Sequence, residues 1–355
     1  YYLTISSIPN PLLKWERTKT WNLGLDLQLF NGINMSLEYY GRRSNAIISQ
    51  DIAQEYGMAS MKLNGGRIHN HGIEYSINLT PYKRKNFAWT ININASKNWN
   101  KAQNDDIRTR VNKINKNDFI NGNRERLLKK GYPISGFWSY SFAGLDPATG
   151  YPTFNKIDFE ETDSDIDPTT FLVYSGQTDP YFSRGVSTRA RYKSLSVGAS
   201  FSVLLGGKKR LPNPYSSFSH GKLPEPYNNL SKDLLKRWQK PGDEKHTIYP
   251  ALYTSVEDVI NIQLPDGTTA NSIYGMWANS DAMVVNASFL RCTQLSLTWN
   301  LPVQLCSKFG ATNCSVSANV NNPFVIGSSR FNGFDPELGT SVMPKVFSFG
   351  LSVGF

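Results

Sequence analysis

No stretch of this sequence stays apolar for long. The roughly 18 uninterrupted apolar residues that a membrane-crossing helix needs are absent. Mean hydropathy is -0.41, and hydrophobic residues make up 39% of the chain. This excludes a helical membrane protein but not a membrane barrel, whose strands alternate and so dilute their own signal. Cysteine is scarce as well. Cys292, Cys306 and Cys314 match no zinc or redox spacing. Cys306 and Cys314 could form a disulfide in an oxidising compartment if the chain turns between them, and isolated small apolar side chains are the alternative. No G-x-S-x-G, H-E-x-x-H or P-loop pattern occurs, and Glu160-Glu161 has no pocket around it, so no enzyme and no catalytic residue is expected. Nothing calls for a cofactor or a metal. His69 and His71 share a strand face without a Cys or carboxylate partner. Asp163, Asp165 and Asp167 open like a calcium loop, but Pro168 stands where that loop needs Gly and Tyr174 where it needs Glu. The chain opens at Tyr1 with no initiator Met, charged n-region or apolar h-region, which suggests part of a mature exported chain.

Charge is unbalanced but not organised. The formal net charge is +10. Basic residues are scattered, with small clusters at 124–130 and 208–210 and an acidic run at 158–167 between them. That does not make the basic stripe that nucleic acid requires, so no nucleic-acid partner is expected.

What is present is alternation. In the last stretch, 344–355, the residues Phe347, Phe349, Leu351, Val353 and Phe355 fall on every second position, with Ser348, Gly350, Ser352 and Gly354 between them. A period of two means a strand with one apolar face. An apolar strand at the end of a chain is a sticky edge unless a closed barrel pairs it. The span Trp21–Tyr39 repeats the design: Trp21, Leu23, Leu25, Leu27 and Leu29, a turn at Asn31-Gly32, then Ile33, Met35, Leu37 and Tyr39. Further pairs flank turns at 81–86, 146–150 and 193–194. Between Val285 and Asn300 the pattern changes phase. Leu290 and Cys292 have one parity and Leu295, Leu297 and Trp299 the other, which predicts a β-bulge near Thr293.

Short turns at 31–32, 81–86, 146–150, 193–194 and 301–310 alternate with long segments at 45–65, 102–133, 158–182, 206–282 and 325–341. Short turns on one rim and long loops on the other are the outer-membrane pattern. The expected fold class is therefore all-β, a transmembrane antiparallel β-barrel. Roughly eleven spanning strands are readable, an odd number, so the barrel is expected to be partial. Aromatics at 13% are consistent with interfacial girdles. A soluble multi-sheet protein, with its Leu faces turned into a dry core, is the alternative.

The residues also resemble a family. Asn10-Pro11-Leu12-Leu13-Lys14-Trp15-Glu16 with Asn22-Leu23-Gly24-Leu25-Asp26 is similar to the NPxLKWE…NxGxD stretch of SusC/RagA-type TonB-dependent outer-membrane transporters. Gly131-Tyr132-Pro133-Ile134 with Gly144-Leu145-Asp146-Pro147-Ala148-Thr149-Gly150, Ala287-Ser288-Phe289-Leu290-Arg291 through Trp299-Asn300-Leu301-Pro302, and Gly333-Phe334-Asp335-Pro336-Glu337 follow in that family's order. Cys292 and Thr293 replace its usual Leu-Lys. The resemblance implies the C-terminal half of a barrel of about 22 strands, with the plug domain and TonB box upstream. It implies TonB-driven import of an oligosaccharide or peptide, a SusD-like lipoprotein as lid, the N-terminal half of the same barrel as partner, and lipid and lipopolysaccharide around an outer-membrane, multi-pass chain. A structural subunit of a larger envelope complex and a passive pore are the other functions considered. Phe347, Phe349, Leu351, Val353 and Phe355 would close the barrel. The loop aromatics Tyr56, Trp238, Tyr274, Trp277 and Phe331, with Tyr215, Tyr249 and Tyr253, either touch substrate or lid or pack the long loops internally. Lys232–Gln239 reads as a short helix capped by Ser231.

Overall fold

The computed structural model describes residues 10–30, 32–51, 60–103, 129–155, 172–215, 227, 229–252, 260–263 and 269–355. Its strands are β1 (Arg17–Leu29), β2 (Ile33–Asp51), β3 (Ser60–Lys83), β4 (Phe87–Ala102), β5 (Gly136–Leu145), β6 (Pro152–Asn155), β7 (Leu172–Gln177), β8 (Phe182–Tyr192), β9 (Leu195–Leu205), β10 (Lys208–Arg210), β11 (Ile260–Gln263), β12 (Thr269–Ser272), β13 (Val284–Asn286), β14 (Phe289–Asn300), β15 (Asn313–Gly327) and β16 (Val346–Gly354). Nine of them make one sheet in the order β1-β2-β3-β4-β8-β9-β14-β15-β16. Every neighbouring pair is antiparallel.

The register shows why alternation yields this sheet. Leu27, Met35, Ile77, Ile93, Val186 and Phe201 are successive cross-strand partners, a row of apolar side chains six strands wide. One position along, Asp26, Ser36, Ser76, Asn94, Gly185 and Ser202 form the matching row on the other face. We term the apolar face outward and the polar face inward. A one-residue slip of any strand would exchange the two. Nothing covers the outward face among the described residues: Leu23 is 70% exposed, Val197 50% and Phe349 83%. The soluble reading, with these side chains meeting in a dry core, is therefore wrong. So large an apolar surface suits lipid and not water. Aromatics border it at one rim, where Tyr82, Trp89, Tyr192 and Trp299 lie, as interfacial rings do.

Loop length segregates by rim. Residues 30–32, 84–86, 193–194 and 301–312 join strands at one end, and 52–59, 103–181, 206–288 and 328–345 at the other. The tight turns require positive φ: Lys193 has 52° and Gly32 has 129°. A Cβ on Gly32 would stand 3.0 Å from the Thr80 carbonyl oxygen. Asn31 lies outside the described residues. Where the bulge was expected, β14 shifts register between Cys292 and Gln294 against both neighbours.

Two expectations need correction. The 45–65 segment is mostly strand, because β2 runs to Asp51 and β3 starts at Ser60. Backbone pairing holds this polar, Gly-rich stretch, and a second bulge opposite Ala46 and Ile47 absorbs the irregularity. The strands flanking 146–150 also exist but lie outside the main sheet. β5 and β6 belong to a separate three-stranded sheet, β6-β5-β7, in the long-rim connection. Phe137, Trp138 and Tyr140 on β5 are all buried. A strand buried on both faces belongs to a protein core and not to a lipid wall. Removing these two strands from the expected count leaves nine.

The two faces can be told apart experimentally. In the full-length protein, Ile93→Arg at the middle of the outward band should cost ~2–4 kcal/mol in urea unfolding from lipid vesicles. Asn92→Arg on the inward face of the same strand should change stability by less than about 1 kcal/mol. Equal losses would contradict the assignment of faces.

Candidate functional site

The inward face is a wall of small and polar residues. Ser36, Glu38, Glu74, Ser76, Asn94 and Ser96 help line a hollow of ≈ 520 Å³ against it. Short side chains leave that space open, and their polar ends are bonded to one another. Asn22 Nδ2 donates to Glu38 Oε2 at 2.9 Å, and the Ser96 and Ser183 hydroxyls are 2.7 Å apart. Glu38 and Glu74 are direct cross-strand partners. Such a surface offers hydrogen bonds to a polar solute without one fixed reactive group. Among the described residues no cluster of His, Cys, Asp and Glu is placed to hold a metal. The His69 and His71 rings stand 5.3 Å apart, and His71 stacks on Trp99. Cys292, Cys306 and Cys314 are free thiols.

Above the wall, the long-rim connections fold into a body with its own core. Trp277, on the short helix α1 (Ile273–Ala278), is fully buried. Its Nε1 donates to the Ile248 carbonyl at 2.9 Å. Tyr215 meets Trp277 and Tyr274 edge-on, with ring centroids 5.4 and 5.2 Å apart. The Tyr274 and Tyr215 hydroxyls donate to the carbonyls of Ala251 and Pro250. Burial pushes the Tyr249 phenol up to about 12. Phe331 joins the same cluster from the β15–β16 connection. Trp238 packs with Leu145 and Ala251. Gly150 at φ 70° lies beneath that indole, where a Cβ would come within 2.4 Å of the ring. Asp146 shapes the turn before it. Its carboxylate accepts from the Thr149 N–H and hydroxyl and from the Ala148 N–H, and these bonds hold it below the usual carboxylate range.

The loop aromatics therefore need correcting. Trp238, Tyr274, Trp277 and Phe331 lie inside this body and do not present their faces to a substrate or lid. Of the two readings open in the sequence, internal packing applies. Connections this long bury their rings together, and the ring N–H or O–H of Trp238, Tyr274 and Trp277 each reaches a carboxylate or a carbonyl. Tyr56, Tyr253 and the acidic positions 160–167 lie outside the described residues. The expected helix at 232–239 is a 3₁₀ turn, Lys232–Lys236, with Ser231 accepting from the Asp233 N–H as its cap.

Sequence reasoning missed the tie between wall and loop body. Arg291 points inward from β14 and is buried. Its Nη2 reaches Asp335 Oδ1 at 2.7 Å and Glu337 Oε2 at 3.1 Å. Pro336 sits over Gly327, where a Cβ would be 2.6 Å from its Cγ. Lys209 Nζ donates to the Glu337 carbonyl. Burial alone would raise the Asp335 carboxyl, but the Arg291 guanidinium and the N–H groups of Glu337 and Leu338 outweigh it and hold the group below the usual range. The signal was a lone Arg on an inward strand position and an acidic pair in a loop. The pairing spans 44 positions and follows from no local pattern.

Comparison with known proteins agrees with this architecture. Residues 1–322 match the family model described as TonB dependent receptor-like, beta-barrel. The chain is similar to the TonB-dependent receptor SusC of Bacteroides thetaiotaomicron, with 27% identity over 98% of this chain and 32% of that protein. It is also similar to TonB-dependent receptor P3 of Formosa agariphila, with 23% identity over 94% of this chain and 32% of that protein. The chain thus spans about a third of the length of these relatives. A solved structure, that of the RagAB peptide transporter, shares the fold with TM-score 0.70 and 24% identity, covering 99% of this chain and 37% of that one.

Removing the guanidinium would leave Asp335 buried without its cation, so Arg291→Ala should destabilise the 335–341 segment by ~3–5 kcal/mol. Glu337 is half exposed and adds little. Because the folded Asp335 carboxyl titrates below its unfolded value, its contribution is full at neutral pH and is lost as pH falls from about 4 downward. Hydrogen exchange of the Asp335, Glu337 and Gly339 amides, corrected for intrinsic rates, checks both effects. Unchanged protection in Arg291→Ala would show that the pair does not hold this loop.

Proposed function

The chain belongs to the TonB dependent receptor-like β-barrel family, whose members cross the outer membrane with strands, and from that premise we propose that the whole protein imports a polar nutrient, an oligosaccharide or a peptide, driven through TonB. The observation that carries this reading is the two-sided sheet: a continuous apolar face backs an inner wall of Ser, Asn and Glu beneath a packed rim body. An uncharged polar chain crossing such a lumen can exchange its hydrogen bonds with water for bonds to Ser, Asn and Glu. Oligosaccharides and peptides both meet that description. TonB would act through a plug domain encoded by the remaining length of the protein. β1 and β16 are the two edges of the sheet. The N-terminal part of the same barrel would pair with both, with Phe347, Phe349, Leu351, Val353 and Phe355 facing lipid beside the seam. A SusD-like lipoprotein would sit over the long-loop rim, where the packed body gives it a firm seat.

Uptake of labelled oligosaccharides and peptides by cells carrying the full-length protein tests the proposal. Uptake should vanish when TonB is deleted, and a surface lipoprotein should co-purify with the barrel. Uptake that survives TonB loss would point to a passive pore. A stable envelope complex with no uptake of either class would point to a structural subunit.

A further inference from the structure

The outward face of β1 to β4 changes character above the apolar band. Toward the long-loop rim, the row Trp21, Gly41, His71 and Trp99 follows Leu23, Tyr39, Ile73 and Lys97. Trp21 lies over Gly41, where a Cβ would fall 2.4 Å from the indole. Its ring meets Tyr39 edge-on at 5.2 Å. Lys97 Nζ stands 4.8 Å above the Trp99 ring. The next row out is Lys19, Arg43, His69 and Lys101, each the cross-strand partner of the next. With strands about 4.8 Å apart, this row is about 14 Å wide.

Such a row is unfavourable when left alone. Like charges directly opposite across strands repel, and Lys19 and Arg43 are direct partners. Lys19, Arg43 and Lys101 are exposed. Among the described residues none of the three forms an ion pair. Among the described residues these strands supply no remedy on this face. The outward positions 19–29, 33–45, 67–79 and 87–101 hold no Asp or Glu, while Asp26, Glu38 and Glu74 all point inward. Glu16, close in sequence, accepts from the Ile47 N–H at 2.8 Å. Within those positions every acid points inward and every base except Arg42 points outward, so the balancing charge comes from what surrounds the barrel. At this height, one step beyond interfacial tryptophans, the surroundings are lipid headgroups.

We infer that Lys19, Arg43 and Lys101 form a docking site for the phosphate of an outer-leaflet glycolipid, whose acyl chains run down the apolar band below. The anion relieves the repulsion within the row, and its sugar rests beside Trp21 and Trp99. This rests on the outward face meeting lipid, and it is independent of what the lumen carries. Uptake and lipid retention can therefore fail separately.

The test is native mass spectrometry of the full-length protein from detergent micelles, titrated with a phosphorylated diglucosamine lipid and with the same lipid dephosphorylated. The triple variant Lys19→Ala, Arg43→Ala, Lys101→Ala should retain the phosphorylated lipid about 100-fold less well than the parent. Lys19→Arg with Lys101→Arg should retain it as the parent does. Arg42→Ala, which removes a cation at the same height from the inward face, should leave retention unchanged, and the dephosphorylated lipid should bind the parent only as weakly as the phosphorylated lipid binds the triple variant. Retention unaffected in the triple variant, an equal loss in Arg42→Ala, or equal binding of the dephosphorylated lipid would each overturn the assignment.

Discussion

Hydrocarbon contains no water to take up a free N–H or C=O, so a strand that enters it must give every backbone polar group to a neighbouring strand. The main sheet follows from that constraint. Its nine strands pair in chain order, each of the seven between β1 and β16 with the strand before and after it in the sheet, and the helices and small sheets are all displaced into the connections. With the backbone satisfied, side chains alone decide which face meets lipid. The rows from Leu27 to Phe201 and from Asp26 to Ser202 answer that consistently over six strands. β1 and β16 remain as edges, and in hydrocarbon an edge is a row of unsatisfied groups. The pressure to close the sheet therefore comes from the backbone first and from the exposed phenylalanines of β16 second.

The same chain solves a second folding problem under a different solvent. Outside the membrane, water restores the ordinary hydrophobic effect, and apolar residues turn inward. Trp277 is buried among Tyr215, Tyr249 and Tyr274, while Leu23 and Phe349 stand exposed on the strands. Neither pattern is anomalous once the solvent is specified. Reading exposure without it would mark the outward face as a defect and the loop body as the real protein.

This division also explains what was legible in the sequence. Period-two alternation survives in single strands because lipid and lumen impose opposite demands on adjacent residues, so β1, β2, β9 and β16 could be read directly. The phase change between Cys292 and Leu295 located a bulge to the residue for the same reason: parity errors in a lipid-facing strand have no other remedy. The segment at 136–154 misled because β5 alternates too, although its partners are other loops. Nothing local distinguishes a strand facing lipid from one inside a loop core. The polar ends of β2 and β3 escaped because pairing holds them and not side-chain pattern. The buried aromatics were ambiguous since burial there depends on the meeting of segments more than 100 positions apart, such as Leu145 with Ala251. The Arg291–Asp335 pair was illegible for a similar reason, although both residues stand in stretches that resembled the family.

The bulge and the ion pair are two parts of one device. From Leu295 downward, β14 must place odd-numbered residues on the lipid face, where Leu297 and Trp299 belong. Continued without interruption, that parity would send Arg291 outward as well, and a guanidinium on the lipid face costs up to ~4 kcal/mol depending on depth. The extra residue, Thr293, reverses the parity, so that Arg291 and Phe289 turn inward and Leu290 turns outward. The guanidinium then lies 5.1 Å from the Phe289 ring and reaches Asp335. The connection from β15 to β16 is thereby fastened to the inner side of the wall, and through Phe331 to the aromatic core of the rim body. One inserted residue lets a single strand keep Leu290, Leu297 and Trp299 on the lipid face while it turns Arg291 inward to anchor the water-exposed structure.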